Sequence, residues 1–309
     1  MNYMCFDIGG SSIKYGVAKQ NGTLLLKGEV PSKIRKKGLQ RLIGCLSSRK
    51  KYIKRLASIT KFCRQGYNLQ GIAISTTGVV DPERGLVLGH SGYFPPDTAL
   101  QKQMEQECNL PCTVENDANA GALGEYWLGE GRGAQSMYYI TIGSGVGGAT
   151  ILNGKLIHGA ALCAGEVEHI QIGLNGTWDD TASTWQLICN VAKEKSMPLA
   201  ELNGKKIYAM AQAGDVVAAA AIAKQMDALA AGVVNICYIL NPERVIVGGG
   251  ISAQADYLYP QLDKALRKRL IPLVYENTIL RFAALQNDAG MIGALFNFLL
   301  RHGKTDCEG

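Results

Sequence analysis

The chain has 309 residues, a formal net charge of +6, and a hydrophobic fraction of 47%. This length allows two lobes of ordinary size, each with its own core. We find no long apolar span, and no charged n-region followed by a short apolar run, so the sequence predicts neither a membrane protein nor a secretory signal peptide. We therefore expect a cytoplasmic protein that does not bind membranes.

The nine cysteines are odd in number, scattered and mostly flanked by apolar residues. This usage is typical of reduced thiols in a cytosolic protein. Cys108 and Cys112 form the one close pair, but no His or second Cys pair lies near them in sequence. We expect core or surface thiols there rather than a metal site.

The N-terminal elements read as a three-stranded meander. Short β-like runs cover 3–8, 13–18 and 24–30, with Gly9-Gly10 and Asn21-Gly22 as turns.

The following segment, 33–64, is rich in Lys and Arg and contains no Asp or Glu. Such a patch can attract phosphates or nucleic acid. However, no aromatic interleaving or zinc-finger spacing accompanies it. We favour the solvated face of an amphipathic helix and expect no nucleic-acid partner, because apolar residues recur at roughly helical spacing, namely Leu42, Ile43, Leu46, Ile53, Leu56 and Ile59.

An apolar run at 71–75 precedes a Gly- and Pro-rich stretch, 76–97, which we predict as loops with little regular structure. Long loops inside a compact domain are usually functional.

A second segment then repeats the pattern of strands around a glycine-rich turn. A short strand at 113–115 leads into a helix at about 118–128, and two strands at 137–142 and 147–152 surround a glycine-rich turn. Helical patterns dominate 185–239. A strand at 244–247 then ends in Gly248-Gly249-Gly250, and a helix and a final strand at 280–284 follow. Duplicated halves of this kind predict an α/β protein with a central cleft.

The first candidate phosphate-binding turn lies in the segment DIGGSSIK at 7–14. Gly9 and Gly10 let backbone N–H groups approach a polyphosphate, Ser11 and Lys14 can supply a hydroxyl and a cation, and Asp7 can hold water on Mg²⁺. A plain β-turn explains this segment equally well on its own.

The second candidate turn is TIGSGVGG at 141–148, again between two strands. Two such turns, one in each half, can hold one polyphosphate from opposite sides. A dinucleotide fingerprint would need a helix directly after the glycines, whereas a β-like run follows here.

The third motif is Glu115-Asn116-Asp117, at a junction of strand and helix. An acidic side chain at a helix N-terminus is often only a cap, and that alternative is equally good for this motif alone. The functional interpretation is that Asp117 accepts a proton from a sugar hydroxyl as it attacks the γ-phosphorus, while Asn116 orients the sugar.

Together these segments resemble the ROK kinases, bacterial sugar kinases of the hexokinase and actin superfamily. The resemblance runs nearly end to end, through DIGGSSIK at 7–14, STTGVVD at 75–81, ENDANAGALGE at 115–125, TIGSGVGG at 141–148, GEVEH at 165–169, GGG at 248–250 and NDAGMIGA at 287–294.

The resemblance implies a two-lobed α/β, actin-like ATPase (ribonuclease H-like) fold with an interdomain cleft. Residues 1–118 would form the N-terminal lobe, with a C-terminal helix at about 289–309 packing back on it, and residues 119–288 would form the C-terminal lobe. Closure of the lobes would exclude water from the reaction.

The resemblance also implies the site residues. ATP and Mg²⁺ would bind at Asp7, Gly9, Gly10, Ser11, Lys14, Thr141, Gly143, Ser144 and Gly145, with Gly248 and Gly249 beside the adenosine. The sugar would contact Asn116, Asp117, Glu166 and His169, with Asp117 as the general base.

The chain departs from the family where most members carry a C-x-C-G-x-x-G-C-x-E zinc motif. The segment 171–185 reads QIGLNGTWDDTASTW, and no Cys lies between Cys163 and Cys189, so we expect no structural zinc. The family's second sugar-binding Glu, which closes that motif, is left without a counterpart. His169 is retained without metal partners, which favours a hydrogen bond to sugar, and Glu168 replaces the family's usual Gly.

A second departure is the loop 89–96, where the family places a sugar-contacting Asn that this chain lacks. His90, Ser91 or backbone groups are the candidate substitutes. Tyr93 and Phe94 read either as an apolar wall against a sugar or aglycone, or as ordinary core packing.

The expected activity is transfer of the ATP γ-phosphoryl group to a hexose hydroxyl, O6, of glucose, a β-glucoside or an N-acylhexosamine such as N-acetylmannosamine. The family's DNA-binding repressors carry a helix-turn-helix module before the first phosphate turn, which here begins at residue 7, so we expect a kinase. A non-catalytic sugar sensor stays open, although Asp7, Lys14 and Asp117 are retained. By family analogy we expect a homodimer.

Overall fold

Two compact units, each built around its own five-stranded sheet, make up the chain in the computed structural model. The structure describes residues 1–32, 44–173 and 176–304, and the side chains of 44–50 are outside this description. The first unit consists of Met1–Leu128, Gly159–Cys163 and Asp288–Gly309, and the second of Gly129–His158 and Ala164–Asn287.

The strands of the first unit follow a meander and then a parallel extension. Their sheet order is β3-β2-β1-β4-β7, in which β1 to β3 are antiparallel neighbours and β1, β4 and β7 are parallel. The strands and helices in chain order are β1 Asn2–Ile8, β2 Ser12–Lys19, β3 Leu24–Pro31, α1 Gly44–Arg64, β4 Leu69–Thr76, β5 Val79–Asp81, β6 Leu86–Gly89, α2 Leu100–Cys108, β7 Cys112–Asn116 and α3 Asp117–Leu128.

Strand β1 is buried on both faces, and its alternation places Asp7. Met4, Phe6 and Ile8 point into one apolar cluster, while Tyr3 and Cys5 point into another. Successive side chains of a strand point to opposite faces, so Asp7 lies on the same face as Tyr3 and Cys5.

The amphipathic interpretation of the basic segment is confirmed for the described part of α1. Ile53 and Leu56 are buried, whereas Lys51, Lys54 and Lys61 are exposed. The predicted positions Leu42 and Ile43, the basic residues of 33–43 and the side chain of Leu46 lie outside the described residues.

The prediction of loops over 76–97 was partly wrong, because β5 and β6 pair there as an antiparallel hairpin. The Asp81 carboxylate accepts a hydrogen bond from the Arg84 backbone N–H at 2.9 Å, and Gly85 adopts a φ of 65°, which closes the turn. The high Gly and Pro content of the segment concealed two short apolar runs.

The second unit repeats the sheet of the first. Its order is β10-β9-β8-β11-β12, again an antiparallel meander followed by parallel strands. The prediction of duplicated halves is therefore confirmed. The elements are β8 Ser136–Ile142, β9 Val146–Leu152, β10 Lys155–Ile157, α4 Asp179–Ala182, α5 Thr184–Glu194, α6 Gly204–Gln212, α7 Val216–Leu240, β11 Arg244–Gly249, α8 Ala255–Arg267, α9 Pro272–Asn277 and β12 Ile279–Phe282.

Helix α7 is the one helix in the described part of the chain that is long and apolar enough to cross a membrane, and half of its most apolar window is buried. Core helices of soluble proteins meet the same criterion. The fully buried Trp178 packs against α7 beside Gly232, and its indole Nε1 donates a hydrogen bond to the Ala228 carbonyl at 3.1 Å. These contacts are those of a core helix of the second unit.

The last helix, α10 (Ala289–Arg301), belongs to the first unit and packs along α3. The approach is so close that a Cβ on Gly293 would lie 1.6 Å from the Ala120 carbonyl oxygen, so only glycine fits there. This packing keeps all of α3 in the first unit. The predicted lobe boundary after residue 118 instead falls inside α3, and the units divide after Leu128.

Candidate active site

Asp7 lies between a cation and a hydroxyl at the end of β1. Strand pairing places Lys14 of β2 on one side of it and Ser75 of β4 on the other. The Lys14 Nζ is 3.4 Å from the Asp7 Oδ2, and the Ser75 hydroxyl donates to Oδ1 at 3.1 Å. Sequence reasoning did not identify Ser75, because only the register of the parallel β1–β4 pair brings it to Asp7.

The glycine turn after Asp7 is anchored through its carbonyl groups. The Gly9 carbonyl accepts a hydrogen bond from the Ser32 hydroxyl at 2.7 Å, and the Tyr93 hydroxyl lies 2.9 Å from the Gly9 oxygen and 2.5 Å from the Gly10 oxygen. A Cβ on Gly10 would meet no atom within 4 Å, and Ser11 is exposed. The turn is thus fixed on one side and open on the other.

Asn116 is the residue that caps α3. Its side-chain oxygen accepts hydrogen bonds from the backbone N–H groups of Ala118 at 2.9 Å and Asn119 at 3.1 Å. Asp117, the first residue of the helix, also accepts from Ala118 N–H at 3.0 Å and is half-buried. Because Asn116 already serves as the cap, capping alone does not account for an acid at 117.

Asn116 is held from two directions. Its side-chain nitrogen donates to the Gly78 carbonyl at 3.0 Å, and its backbone N–H donates to the buried Glu115 carboxylate at 2.8 Å. Glu115 also accepts from the Asn119 side chain at 3.1 Å. These contacts give Asn116 a structural role beside its predicted one.

The second glycine turn lies between β8 and β9 and is held by residues that sequence reasoning missed. The Asp179 carboxylate accepts from the Val146 N–H at 2.9 Å, and the Thr184 N–H donates to the Gly143 carbonyl at 2.9 Å. Within the turn, the Gly143 N–H donates to the Gly145 carbonyl at 2.9 Å. Asp179 and Thr184 begin α4 and α5, so two helix starts fix the turn.

The other predicted residues of the second unit lie beside this turn. In the β8–β11 register, Gly248 pairs with Thr141 and Gly249 with Ile142. Gly165, which precedes Glu166, has a φ of 95°, and a Cβ there would lie 2.2 Å from the Gly148 carbonyl oxygen. The segment containing Glu166 and His169 is therefore docked directly on β9.

His169 faces Glu168, whose position the sequence left open. The His169 side chain is 74% exposed, and its Nε2 lies 3.4 Å from the Glu168 Oε1. Glu166 is half-buried, and the buried Val167 anchors the short helical turn that contains these residues.

Two of the open alternatives are decided by burial. Tyr93 and Phe94 are buried and pack against Tyr52, which confirms core packing and excludes the apolar wall.

Cys108 and Cys112 are buried as well, and this burial raises the pKa of both thiols, as expected of core cysteines.

The residues present fit a magnesium nucleotide. Asp7 offers the hard carboxylate oxygen that Mg²⁺ prefers, and Lys14 adds a positive charge beside it. A Cβ on Gly143 would meet no atom within 4 Å, so the second turn, like the first, leaves room for a ligand against its backbone.

Comparison with known proteins agrees with this arrangement. The sequence model of the ROK family matches residues 3–300 of the chain. Over 96% of its length the chain is 39% identical to an uncharacterised protein of Clostridium perfringens, of which it covers 97%. It is 30% identical to a glucokinase of Halalkalibacterium halodurans over 94% of this chain and 93% of that protein, and 29% identical to a β-glucoside kinase of Listeria monocytogenes over 99% and 100%.

Solved structures give the same picture. A candidate N-acetylmannosamine kinase from Listeria monocytogenes matches with a TM-score of 0.82 and 29% identity, covering 98% of this chain and 100% of that one. A glucokinase of Streptomyces griseus in complex with glucose and AMPPNP matches with a TM-score of 0.82 and 26% identity, covering 96% and 98%. The chain belongs to the ROK family and has the actin-like ATPase fold of its kinases.

Proposed function

We propose that this chain transfers the γ-phosphoryl group of ATP to a hexose hydroxyl, O6, of glucose, a β-glucoside or an N-acylhexosamine such as N-acetylmannosamine. In class it is an ATP-dependent carbohydrate kinase. The relatives named glucokinase and β-glucoside kinase, together with the Listeria candidate N-acetylmannosamine kinase, support this range of acceptors.

The observation that carries the proposal is that two adjacent residues at the start of α3 have different roles. Asn116 caps the helix, while the adjacent Asp117 presents a half-buried carboxylate at its first residue. A carboxylate held in this way can accept the proton of a sugar hydroxyl as that oxygen attacks phosphorus. Asn116, Glu166 and His169 supply hydrogen bonds that orient the sugar.

The first unit also has groups that would bind the nucleotide and its Mg²⁺. Bound Mg²⁺ would neutralise charge on the ATP phosphates and orient them. Asp7 would hold the metal through its carboxylate, directly or through water, and Lys14 would support the phosphates. Gly10 and Ser11 offer N–H and hydroxyl groups, and Gly9, whose own N–H donates to the Ser12 carbonyl at 3.0 Å, shapes the turn.

The glycine residues of the second unit would also contact a nucleotide. Thr141 and Ser144 would offer hydroxyl groups to the phosphates and Gly145 its N–H, while Gly143, whose N–H is held by the Gly145 carbonyl, leaves room for the ligand. Gly248 and Gly249 would lie beside the adenosine. Positioning and charge stabilisation supply most of the catalysis in such a reaction. No structural zinc takes part in this proposal, because 171–185 lacks the cysteines of the family's zinc motif.

The direct test is an ADP-release assay with ATP and Mg²⁺ on a panel of sugars: glucose, cellobiose and other β-glucosides, N-acetylmannosamine, N-acetylglucosamine, mannose, fructose and allose. We expect turnover on one or two of them, with the phosphate on O6 by NMR of the product. Sugar binding without turnover on the whole panel would contradict the kinase.

A non-catalytic sugar sensor is the second candidate, and one relative favours it. A xylose repressor of Caldicellulosiruptor bescii is 28% identical over 77% of this chain and 64% of that protein. Asp7, Lys14 and Asp117 together support the kinase, since a sensor needs no phosphoryl-transfer residues. We further propose a cytoplasmic homodimer, for which light scattering of the purified chain is the test.

A further inference from the structure

The Tyr93 hydroxyl is bound to the backbone of the first glycine turn. It lies 2.5 Å from the Gly10 carbonyl oxygen and 2.9 Å from the Gly9 carbonyl oxygen. A phenol has one proton, so Tyr93 shares its proton between two adjacent peptide groups. Tyr93 is 9% exposed, and its ring packs edge-on against Tyr52 with a centroid distance of 5.3 Å, which fixes the position of the hydroxyl.

This hydroxyl restrains the most adaptable peptides of the turn. The Gly9 N–H is held by the Ser12 carbonyl at 3.0 Å. The carbonyls of Gly9 and Gly10 share their peptide planes with the N–H groups of Gly10 and Ser11, which have no fixed direction unless those carbonyls are held. Tyr93 holds both carbonyls on the protein side, and Ser32 holds that of Gly9 a second time. The Gly10 and Ser11 N–H groups, which the proposed function assigns to phosphate binding, are thereby preorganised.

Tyr93 is also connected to the start of α3. Its backbone N–H donates to the Ser91 hydroxyl at 3.3 Å. Ser91 lies against Gly78, where a Cβ would stand 2.8 Å from the Ser91 nitrogen. The Gly78 carbonyl in turn accepts from the side chain of Asn116, the cap residue beside Asp117. All of these contacts lie within the first unit.

We propose that Tyr93 is a positioning residue that fixes the Gly9-Gly10 turn for nucleotide phosphates and couples its geometry to the cap of the helix that begins with Asp117. The inference rests on the proposed function, because it assigns that turn to phosphate binding. It predicts that nucleotide affinity depends on a hydroxyl which itself touches neither nucleotide nor sugar.

The Tyr93→Phe variant removes the hydroxyl and leaves the ring in its packing. We expect nucleotide binding to weaken about 2- to 13-fold, the effect of one lost hydrogen bond. We expect sugar binding alone to be unchanged, and the tightening of nucleotide binding by saturating sugar to shrink toward zero. The matched control is Tyr67→Phe, since Tyr67 packs against the same apolar cluster without contacting the turn.

The experiment is calorimetric titration of the wild type and both variants with AMPPNP and Mg²⁺, with and without the best sugar of the panel, beside thermal unfolding and steady-state kinetics. Loss of affinity and of coupling in Tyr93→Phe alone supports the inference. Wild-type AMPPNP affinity and coupling in Tyr93→Phe would overturn it, as would an equal loss in Tyr67→Phe.

The two proposals fail in different ways. A wild type that binds AMPPNP but turns over no sugar contradicts the kinase, while the comparison of AMPPNP affinities still decides the role of Tyr93. A wild type that does not bind AMPPNP overturns the inference, because the turn then holds no nucleotide phosphate.

Discussion

Gly290 lies against Asp7 so closely that a Cβ at position 290 would stand 2.8 Å from the Asp7 Cγ and 2.9 Å from its Oδ1. Gly290 is the second residue of α10, which comes from the opposite end of the sequence and packs on the same sheet face as Asp7. The carboxylate is thus enclosed by Lys14, Ser75 and Gly290, and any side chain at 290 has to displace it.

This contact predicts the effect of Gly290→Ala. Alanine favours a helix over glycine by about 1 kcal/mol, so the fold should be retained. The added methyl group should move the Asp7 carboxylate away from Ser75 and Lys14, and we expect the Mg²⁺ requirement for turnover to rise about tenfold or more, the result of one distorted ligand (about 1.4 kcal/mol).

The measurement is turnover as a function of free Mg²⁺, with thermal unfolding alongside. Gly66→Ala is the control, because a Cβ there would meet no atom within 4 Å. An unchanged Mg²⁺ dependence in Gly290→Ala would remove the metal role from Asp7.

Asp117→Asn should separate catalysis from binding. The amide keeps the size of the side chain and an oxygen for the Ala118 N–H, but it cannot accept a proton at neutral pH. We expect kcat to fall about 10²- to 10⁴-fold while sugar affinity and thermal stability stay close to wild type. Asp97→Asn makes the same charge change at an exposed position of the same unit and should be silent. Near-normal kcat in Asp117→Asn would refute the general-base assignment.

The side-chain oxygen and the side-chain nitrogen of Asn116 have separate roles, which two variants should distinguish. In Asn116→Ala the two capped N–H groups of α3 lose their acceptor, and we expect a loss of about 0.5–2 kcal/mol of unfolding free energy. Asn116→Asp keeps an oxygen acceptor for the cap but cannot donate to Gly78. Because its second carboxylate oxygen would face the Gly78 carbonyl oxygen, we expect Asn116→Asp to keep the cap of α3, to lose stability through the Gly78 contact, and to be impaired in turnover. Denaturant unfolding and steady-state kinetics of the two variants distinguish these effects, and equal stability of Asn116→Ala and wild type would contradict the capping role.

The sequence anticipates those features that depend on local pattern. The alternation of β1 and β2, the glycines between them and the strand–helix junction at Asp117 are all local, and the structure has them where the sequence predicts them. The periodicity of α1 is likewise enough to define its buried face. These features follow from chain geometry over a few residues.

The contacts that support the site are not local and could not be predicted in this way. Ser75 reaches Asp7 through the register of a parallel strand pair 68 residues apart. Tyr93 reaches Gly9 and Gly10 across more than 80 residues, and its ring alone could not distinguish core packing from ligand contact. A hydrogen bond of this kind becomes visible only when tertiary packing places the hydroxyl.

Asp179 gives the last prediction, which concerns the second glycine turn. Its carboxylate is the acceptor for the Val146 N–H at 2.9 Å and lies 3.1 Å from the position of a Cβ on Gly145. Asp179→Ala should leave that N–H without this acceptor and loosen the turn, so we expect the KM for ATP to rise about 5- to 15-fold with a smaller change in kcat. Asp179→Asn keeps an oxygen acceptor and should restore most of the affinity. The neighbouring Asp180 is exposed and bonds Thr177 rather than the turn, so Asp180→Ala controls for local damage to the start of α4. The measurement is steady-state kinetics with ATP varied at saturating sugar. An equal rise in the KM for ATP in Asp179→Ala and Asp180→Ala would mean that the segment as a whole holds the turn, and not the Asp179–Val146 hydrogen bond.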